Sequence, residues 1–288
     1  MPEPAKITVV TPSFNQGKFI EETIKSVISQ EGDFTLEYII MDAGSTDETV
    51  EVIKKYERLL EKGEYPVKCR GVRLIWKSEK DKGQAHAVNK GFKLATGDFF
   101  GWVNSDDTYI PGAISKALDY FKRNKDAVMV YGEGYYVDER GKIIERYKTE
   151  PFDYQRLSEH CFICQPSAFL RRSVLDEVGY LDEGLHFCMD YEYWIRIGKK
   201  GKVGHLNEYL ATSRLHSDAK TVAKTKDAYV ELIRTIKKYY GRVPVLVIDG
   251  YVHAVLGKYL GRKTKLENFI FLKCRMLLLK YKTMLINK

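Results

Sequence analysis

An α/β fold with a mainly parallel central sheet is predicted by two features of the chain before Pro111. Apolar, largely β-branched or aromatic runs at residues 6–11, 36–41, 72–76 and 99–103 alternate with segments of helical apolar spacing. Each run stops at a loop rich in hydroxyls, carboxylates, amides and glycine. Strands that alternate with helices are joined by right-handed crossovers, so the strands lie parallel and all four loops emerge along one edge of the sheet. Open parallel sheets bind their ligands at that edge.

The elements follow in order. The first run leads through Thr11-Pro12-Ser13-Phe14-Asn15-Gln16-Gly17 into a helix marked by Ile20, Thr23, Ile24, Val27 and Ile28. The second closes with Asp42-Ala43-Gly44-Ser45-Thr46-Asp47-Glu48-Thr49, where Ser45 or Thr46 can cap a helix carrying Val50, Ile53 and Tyr56. The third passes through Ser78-Glu79-Lys80-Asp81-Lys82-Gly83-Gln84 to a helix with Ala85, Val88, Phe92 and Ala95 on one side. The fourth ends at Asn104-Ser105-Asp106-Asp107. Beyond Pro111 the pattern predicts a helix to about Phe121, a strand at 127–131, a hairpin over 135–144, a short strand at 165–170, a short helix at 172–178 and a helix at 189–200 opened by Asp190. Trp102 and Trp194 fall on apolar faces and read as core.

At 288 residues and 44% hydrophobic content, the chain suits one α/β domain with additions or two small domains. Five scattered cysteines read as free thiols of a reducing, cytoplasmic compartment. Cys161-x-x-Cys164 lacks the second pair that a zinc site needs and reads as structural. Met1-Pro2-Glu3-Pro4-Ala5-Lys6 holds no apolar signal core, so export is not expected.

Charge is uneven. From Gly241 onward ten Lys and Arg face only Asp249 and Glu267, so this tail carries the whole net charge of +8. On a helical wheel of residues 269–286, Ile270, Cys274, Leu277, Leu278, Tyr281, Met284 and Leu285 form one broad face. Lys273 and Lys280 border it on one side, and Arg275 and Lys282 on the other. Such a helix suits an anionic membrane surface, the globular domain, or a second subunit in a homodimer. Nucleic acid is disfavoured, because the basic residues border an apolar face instead of interleaving with stacking aromatics. No run is long and uncharged enough to span a bilayer.

Each loop of the edge has a chemical reading and a bland one. Thr11, Pro12 and Ser13 offer a hydroxyl-rich turn, and Asp42 is an acceptor for a base N–H or a ribose hydroxyl. Gly83 opens a helix whose N–H groups, with Lys82, suit phosphate. Asp106 and its neighbours can hold a hard divalent cation, or Asn104-Ser105-Asp106-Asp107 can simply turn the chain and cap the next helix. Four such loops in consecutive crossovers favour a nucleoside diphosphate.

The motifs Thr11-Pro12-Ser13-Phe14-Asn15, Met41-Asp42-Ala43-Gly44-Ser45-Thr46-Asp47, Asp81-Lys82-Gly83-Gln84-x-x-Ala87-x-Asn89-Lys90-Gly91, Gly97-Asp98, Trp102-Val103-Asn104-Ser105-Asp106-Asp107, Gln165-Pro166-Ser167 and Asp190-Tyr191-Glu192-Tyr193-Trp194-Ile195-Arg196 resemble, in order, those of the family 2 glycosyltransferases. The resemblance implies a GT-A fold, a Rossmann-like and mainly parallel sheet flanked by helices, over residues 1–217, with residues 218–288 as a basic helical extension. It implies inverting transfer of a hexosyl or N-acetylhexosaminyl group from a nucleotide-diphosphate donor, UDP-sugar foremost, to a hydroxyl of a glycan or lipid-linked acceptor. The setting would be cell-surface polysaccharide, lipid-linked glycan or glycolipid synthesis, peripheral on the cytoplasmic membrane face, with Mn²⁺ or Mg²⁺ as cofactor. Thr11, Pro12, Ser13, Asn15, Asp42, Lys82, Gly83, Gln84, Asn89, Asn104, Ser105, Asp106 and Asp107 would contact the donor.

Asn104 stands where the family's metal-binding motif has its first acid. That leaves Asp106 as the direct ligand, Asn104 as a ribose or supporting contact, and Asp107 to assist the metal or the donor sugar. By the same resemblance Asp190 is the general base, with Glu192 in reserve; on residues alone Asp190 is also a helix cap. His216, in Arg214-Leu215-His216, would complete the metal or diphosphate site, or is structural. The competing function is a non-catalytic nucleotide-sugar-binding or scaffold protein of the same fold. Asn104 leaves room for it, while Asp106 and Asp190 argue against it.

Overall fold

The computed structural model describes residues 3–216, 225–259 and 265–287. Two compact units form. The first holds Met1–Phe152, Phe162–Gly184 and Arg196–His216. The second gathers Asp153–Cys161, Leu185–Ile195 and the described residues beyond 224. The expected domain boundary at 217–218 lies outside the described residues.

In the first unit, β1 (Ala5–Ser13), β2 (Phe34–Asp42), β3 (Gly71–Ser78) and β4 (Phe99–Trp102) are all parallel, in the order β3-β2-β1-β4. Alternate residues Ile7, Val9, Leu36, Tyr38 and Ile40 share a core with Ile20, Ile24, Val27 and Ile28 of α1 (Ile20–Ile28), Ile53 and Tyr56 of α2 (Thr49–Glu61), and Ile114 and Phe121 of α4 (Ala113–Arg123). On β1 the intervening Val10 meets α3 (Gln84–Leu94) at Gly91, where an added Cβ would come within 2.4 Å of its Cγ1. A glycine there lets α3 approach the strand.

Past β4 the sheet becomes mixed. β8 (Phe169–Arg171) runs antiparallel to β4 and to β6 (Ala127–Val137), which therefore regains the direction of the first four strands. β9 (Lys202–Arg214) is parallel to β6, while β5 (Thr108–Tyr109) and β7 (Ile143–Arg146) pair antiparallel to β9 and β6. The ends of β6 and β9, at Val137 and Arg214, thus join the loops after β1 to β4 along one edge. The expected strand at 165–170 begins only at Phe169, because Gln165–Ser167 is a 3-10 turn containing Pro166, which has no N–H for a ladder. A short helix, α5 (Ser173–Glu177), follows.

The second unit is helical. It contains the start of α6 (Met189–Lys200), with α7 (Thr225–Tyr240), α8 (Val245–Tyr259) and α9 (Lys265–Ile286). Arg275 of α9 donates from Nε to Asp249 of α8 at 2.7 Å, and Asn287 exchanges two hydrogen bonds with the backbone of Val243. Among the described residues no helix is long and apolar enough to cross a membrane. Ile270 of the expected tail face has no described side chain.

Candidate active site

The loops after β1 and β2 are stitched together. Asn15, in the left-handed region at φ 51°, accepts from the Thr46 N–H at 2.9 Å and donates its own N–H to Ser45 Oγ at 2.7 Å. Asparagine tolerates that backbone conformation where β-branched residues do not. Gln16 and Gly17 donate to Thr49 Oγ1 and Asp47 Oδ2. Asp42 is buried at the end of β2. Its Oδ2 accepts from the N–H groups of Gly44 and Ser45 and from the Ser78 hydroxyl, while Oδ1 accepts from the Ser45 hydroxyl. The carboxylate holds its own loop in shape. Thr11, also buried, accepts from the Tyr38 hydroxyl at 3.1 Å. Ser13 Oγ, register partner of Asp42, is buried without a hydrogen-bond partner among the described residues, an orphan that a bound ligand would satisfy.

Gly83 takes φ 121° and donates to Asp81 Oδ1, turning the chain into α3 with Lys82 exposed beside it. Gln84 reaches across to Asn104, but Asn89 does not join the group. Its amide is taken up by the backbone of Leu181 and by Glu183. Asn89 therefore clamps residues 181–183 onto α3.

Asn104 is the hub of the edge. Its Oδ1 accepts from Gln84 Nε2 at 2.7 Å and from Trp102 Nε1 at 3.0 Å, and its Nδ2 donates to Asp107 Oδ2 at 3.2 Å and to Gln165 Oε1 at 3.1 Å. An indole N–H can only donate, so the amide orientation is fixed. A carboxylate at this position could not donate to Asp107 or Gln165. This network gives a physical reason for asparagine where the family motif has an acid.

Asp107 is buried, accepting also from the Arg214 N–H at 2.9 Å. Burial and the neighbouring Asp106 carboxylate push its pKa well above the usual carboxylate range. Arg214 is held on every side. Its guanidinium donates to the carbonyls of Asp106, Asp138 and Glu139, pairs with Glu22, and lies 5.0 Å from the Phe19 ring centre. The backbone of Asp106 is thereby tied to the ends of β6 and β9. Asp106 Oδ2 lies 3.0 Å from His216 Nε2, with the carboxylate side chain 21% exposed and the imidazole 3%. Among the described residues no group of three or more His, Cys, Asp and Glu side chains is placed to hold a metal ion. Two protein donors, one carboxylate and one imidazole, with the remaining positions taken by phosphate and water, form a set that Mn²⁺ or Mg²⁺ accepts.

Asp190 belongs to the second unit, half-buried in the first turn of α6. Burial raises its pKa, and the charge of Glu231 adds to the effect. Asp190 Oδ1 accepts the Tyr191 N–H of that first turn at 2.8 Å, but the N–H groups leading into the helix go elsewhere. Those of His186, Phe187 and Cys188 donate to the Glu231 carboxylate of α7 at 2.7–2.8 Å. Glu192 is buried and bonded to the Tyr239 hydroxyl, also of α7. Trp102 and Trp194 are buried as expected, and none of the five cysteines is in a disulfide among the described residues.

The family model described as glycosyl transferase family 2 matches residues 8–179, more than half of the chain. The chain belongs to glycosyl transferase family 2. An uncharacterised glycosyltransferase of Methanocaldococcus jannaschii is 24% identical over 241 residues, 81% of this family 2 chain and 79% of the relative. The chondroitin synthase of Escherichia coli is 25% identical over 76% of this chain and 30% of its own length. Two solved structures share the GT-A fold. S. aureus TarS in complex with UDP-GlcNAc matches with a TM-score of 0.63 at 18% identity, covering 87% of this chain and 71% of that one. The mannosyltransferase PcManGT of Pyrobaculum calidifontis, in complex with GDP-Man and Mn²⁺, matches with a TM-score of 0.61 at 14% identity, covering 99% and 88%.

Arg214 and Gln165 occur in the motifs of the sequence, yet nothing local marks them as the residues that hold Asp106 and Asn104. Glu231 has no local signal at all, since it acts on a segment more than forty residues away.

Proposed function

We propose that this chain is a metal-dependent inverting glycosyltransferase. It moves a hexosyl or N-acetylhexosaminyl group from a UDP-sugar to a hydroxyl of a glycan or lipid-linked acceptor, in cell-surface polysaccharide, lipid-linked glycan or glycolipid synthesis on the cytoplasmic side of the membrane. The observation that carries this reading is the Asp106–His216 pair at the sheet edge, where the neighbouring parallel strand ends in the orphan hydroxyl of Ser13. Solved relatives in complex with UDP-GlcNAc and with GDP-Man and Mn²⁺, and relatives named chondroitin synthase and hyaluronan synthase, support it.

Asp106 and His216 would hold Mn²⁺ or Mg²⁺, whose charge offsets that of the departing diphosphate. Ser13, Asn15, Asp42 and Gly83, with Lys82, line the donor side as rigid loops. Rigid donors and dipoles stabilise developing charge without reorganising. Asp190 takes the proton from the acceptor hydroxyl as its oxygen bonds to the anomeric carbon and the bond from that carbon to the diphosphate oxygen breaks. A single displacement of this kind inverts the anomeric centre. Asn104 does not count towards the non-catalytic alternative, because its amide has a structural task that an acid could not perform.

Thermal denaturation with UDP, GDP and their sugars, each with Mn²⁺, Mg²⁺ or EDTA, tests the reading. A ligand that binds only the native state raises Tm. Stabilisation by a uridine nucleotide that EDTA cancels is expected. No shift with any nucleotide would overturn the proposal.

A further inference from the structure

Helix α9 turns a broad side to solvent. Leu272, Met276, Leu277, Tyr281, Met284 and Leu285 are exposed, Met276 at 66% and Leu277 at 71%, and the exposed Lys273 and Lys280 lie near the middle of the same arc. The other side is engaged with α8. Phe271 is buried edge-on to the His253 ring, Arg275 pairs with Asp249, and Lys282 lies 5.8 Å from the Tyr251 ring centre. The Asn287–Val243 bonds bring the end of α9 to the start of α8, where Val245 and Leu246 are exposed at 53% and 60%. A second pair of exposed apolar side chains therefore lies near the end of α9.

A surface that mixes large apolar side chains with lysines calls for a partner offering both apolar depth and negative charge. From Phe271 to Asn287 the sequence contains no acidic residue. A second copy meeting this side about a two-fold axis would set Lys273 and Lys280 against their own counterparts, with no acidic residue between Phe271 and Asn287 to offset them. An anionic bilayer surface meets both demands. Its headgroups receive the ammonium groups while the lysine stems and the Leu, Met and Tyr side chains enter the acyl boundary. We infer that the outer side of α9, extended by Val245 and Leu246, docks this protein on an anionic lipid surface.

This goes beyond the proposed transferase activity and does not depend on it. The test is sedimentation of the full chain with vesicles of phosphatidylcholine, with and without phosphatidylglycerol, beside gel filtration without lipid. Binding only to vesicles that contain phosphatidylglycerol is expected. Met276→Glu with Leu277→Glu should abolish it, and Lys273→Glu with Lys280→Glu should weaken it at least about tenfold. All four side chains are exposed, so the variants should keep the parent's circular dichroism and Tm. Failure to bind phosphatidylglycerol vesicles would overturn the inference, as would equal binding to both vesicle types. A dimer in gel filtration that the same variants dissolve would assign the surface to a second copy instead. No donor, acceptor or metal enters the measurement, so its failure is distinct from failure of the transferase reading.

Discussion

The amide Nδ2 of Asn104 donates to Asp107 Oδ2 at 3.2 Å, across a buried turn whose other partners are Gln84, Trp102 and Gln165. Asn104→Asp restores the acid of the family motif but removes two donors and sets a second carboxylate against Asp107. The substitution should lower unfolding free energy by about 1–3 kcal/mol in urea titrations, and transfer should fall. A more active N104D enzyme would refute the hub role.

Asp106 and His216 make a metal prediction. Asp106→Ala, or treatment with EDTA, should reduce transfer by at least about a hundredfold, and Mn²⁺ should restore the wild type but not the variant. Calorimetric titration of Mn²⁺ in the presence of UDP gives a second readout. Unchanged Mn²⁺ affinity in D106A would exclude Asp106 as a ligand.

Asp190→Asn should keep nucleotide binding while kcat falls by roughly 10²–10⁴. Burial holds the folded-state pKa of Asp190 above the ordinary carboxylate value, and only the unprotonated form accepts a proton. The acid limb of kcat/KM should therefore lie above about pH 3.9, and it should vanish from the residual activity of the Asn variant. A residual profile with the same limb would assign that titration to another group.

Glu231 supports the same helix from α7. Glu231→Gln removes a negative charge that favours protonated Asp190, so the acid limb should move to lower pH. It also weakens charge-assisted bonds to three N–H groups, each worth about 1.5–3 kcal/mol at full strength. An acid limb left in place would show that Glu231 has only a structural role.

Arg214→Lys keeps the charge but loses the planar fork that reaches Glu22 and three carbonyls. A loss of about 1–3 kcal/mol in stability is expected, from carbonyls left without their donor. Urea unfolding checks it, and a loss below about 0.5 kcal/mol would show that the lysine satisfies the same site.

Much of the fold was legible because its signals are local. The runs ending at Thr11, Met41, Trp76 and Val103 each combine β-branched or aromatic residues with a polar stop and a helical repeat, and the parallel β3-β2-β1-β4 half follows from them. Asp106, His216 and Ser13 were legible as types of residue at strand ends. Asn89 and Asp42 show the limit of that reading. Both lie where donor contacts were expected, and the structure adds a scaffold task for each that no local signal announces.

The tail shows the same limit in another form. The wheel puts Cys274 and Leu278 on one apolar face with Leu277 and Tyr281, but packing on α8 half-buries the first two and exposes the second two. Lys273 and Lys280, expected on a border, consequently stand near the middle of the exposed side.

By itself the sequence determined the four strand-loop-helix units, the edge on which their loops gather, and the family. Propensity, caps and apolar period act within a few turns of chain, and the connection rule then leaves one arrangement. Only the tertiary structure decided that the sheet turns mixed after β4, that Asn104 is a four-bonded hub, that Glu231 caps the start of α6, and which side of α9 meets solvent. Each of these depends on groups far apart in sequence whose hydrogen bonds and burial compete only once the chain has packed.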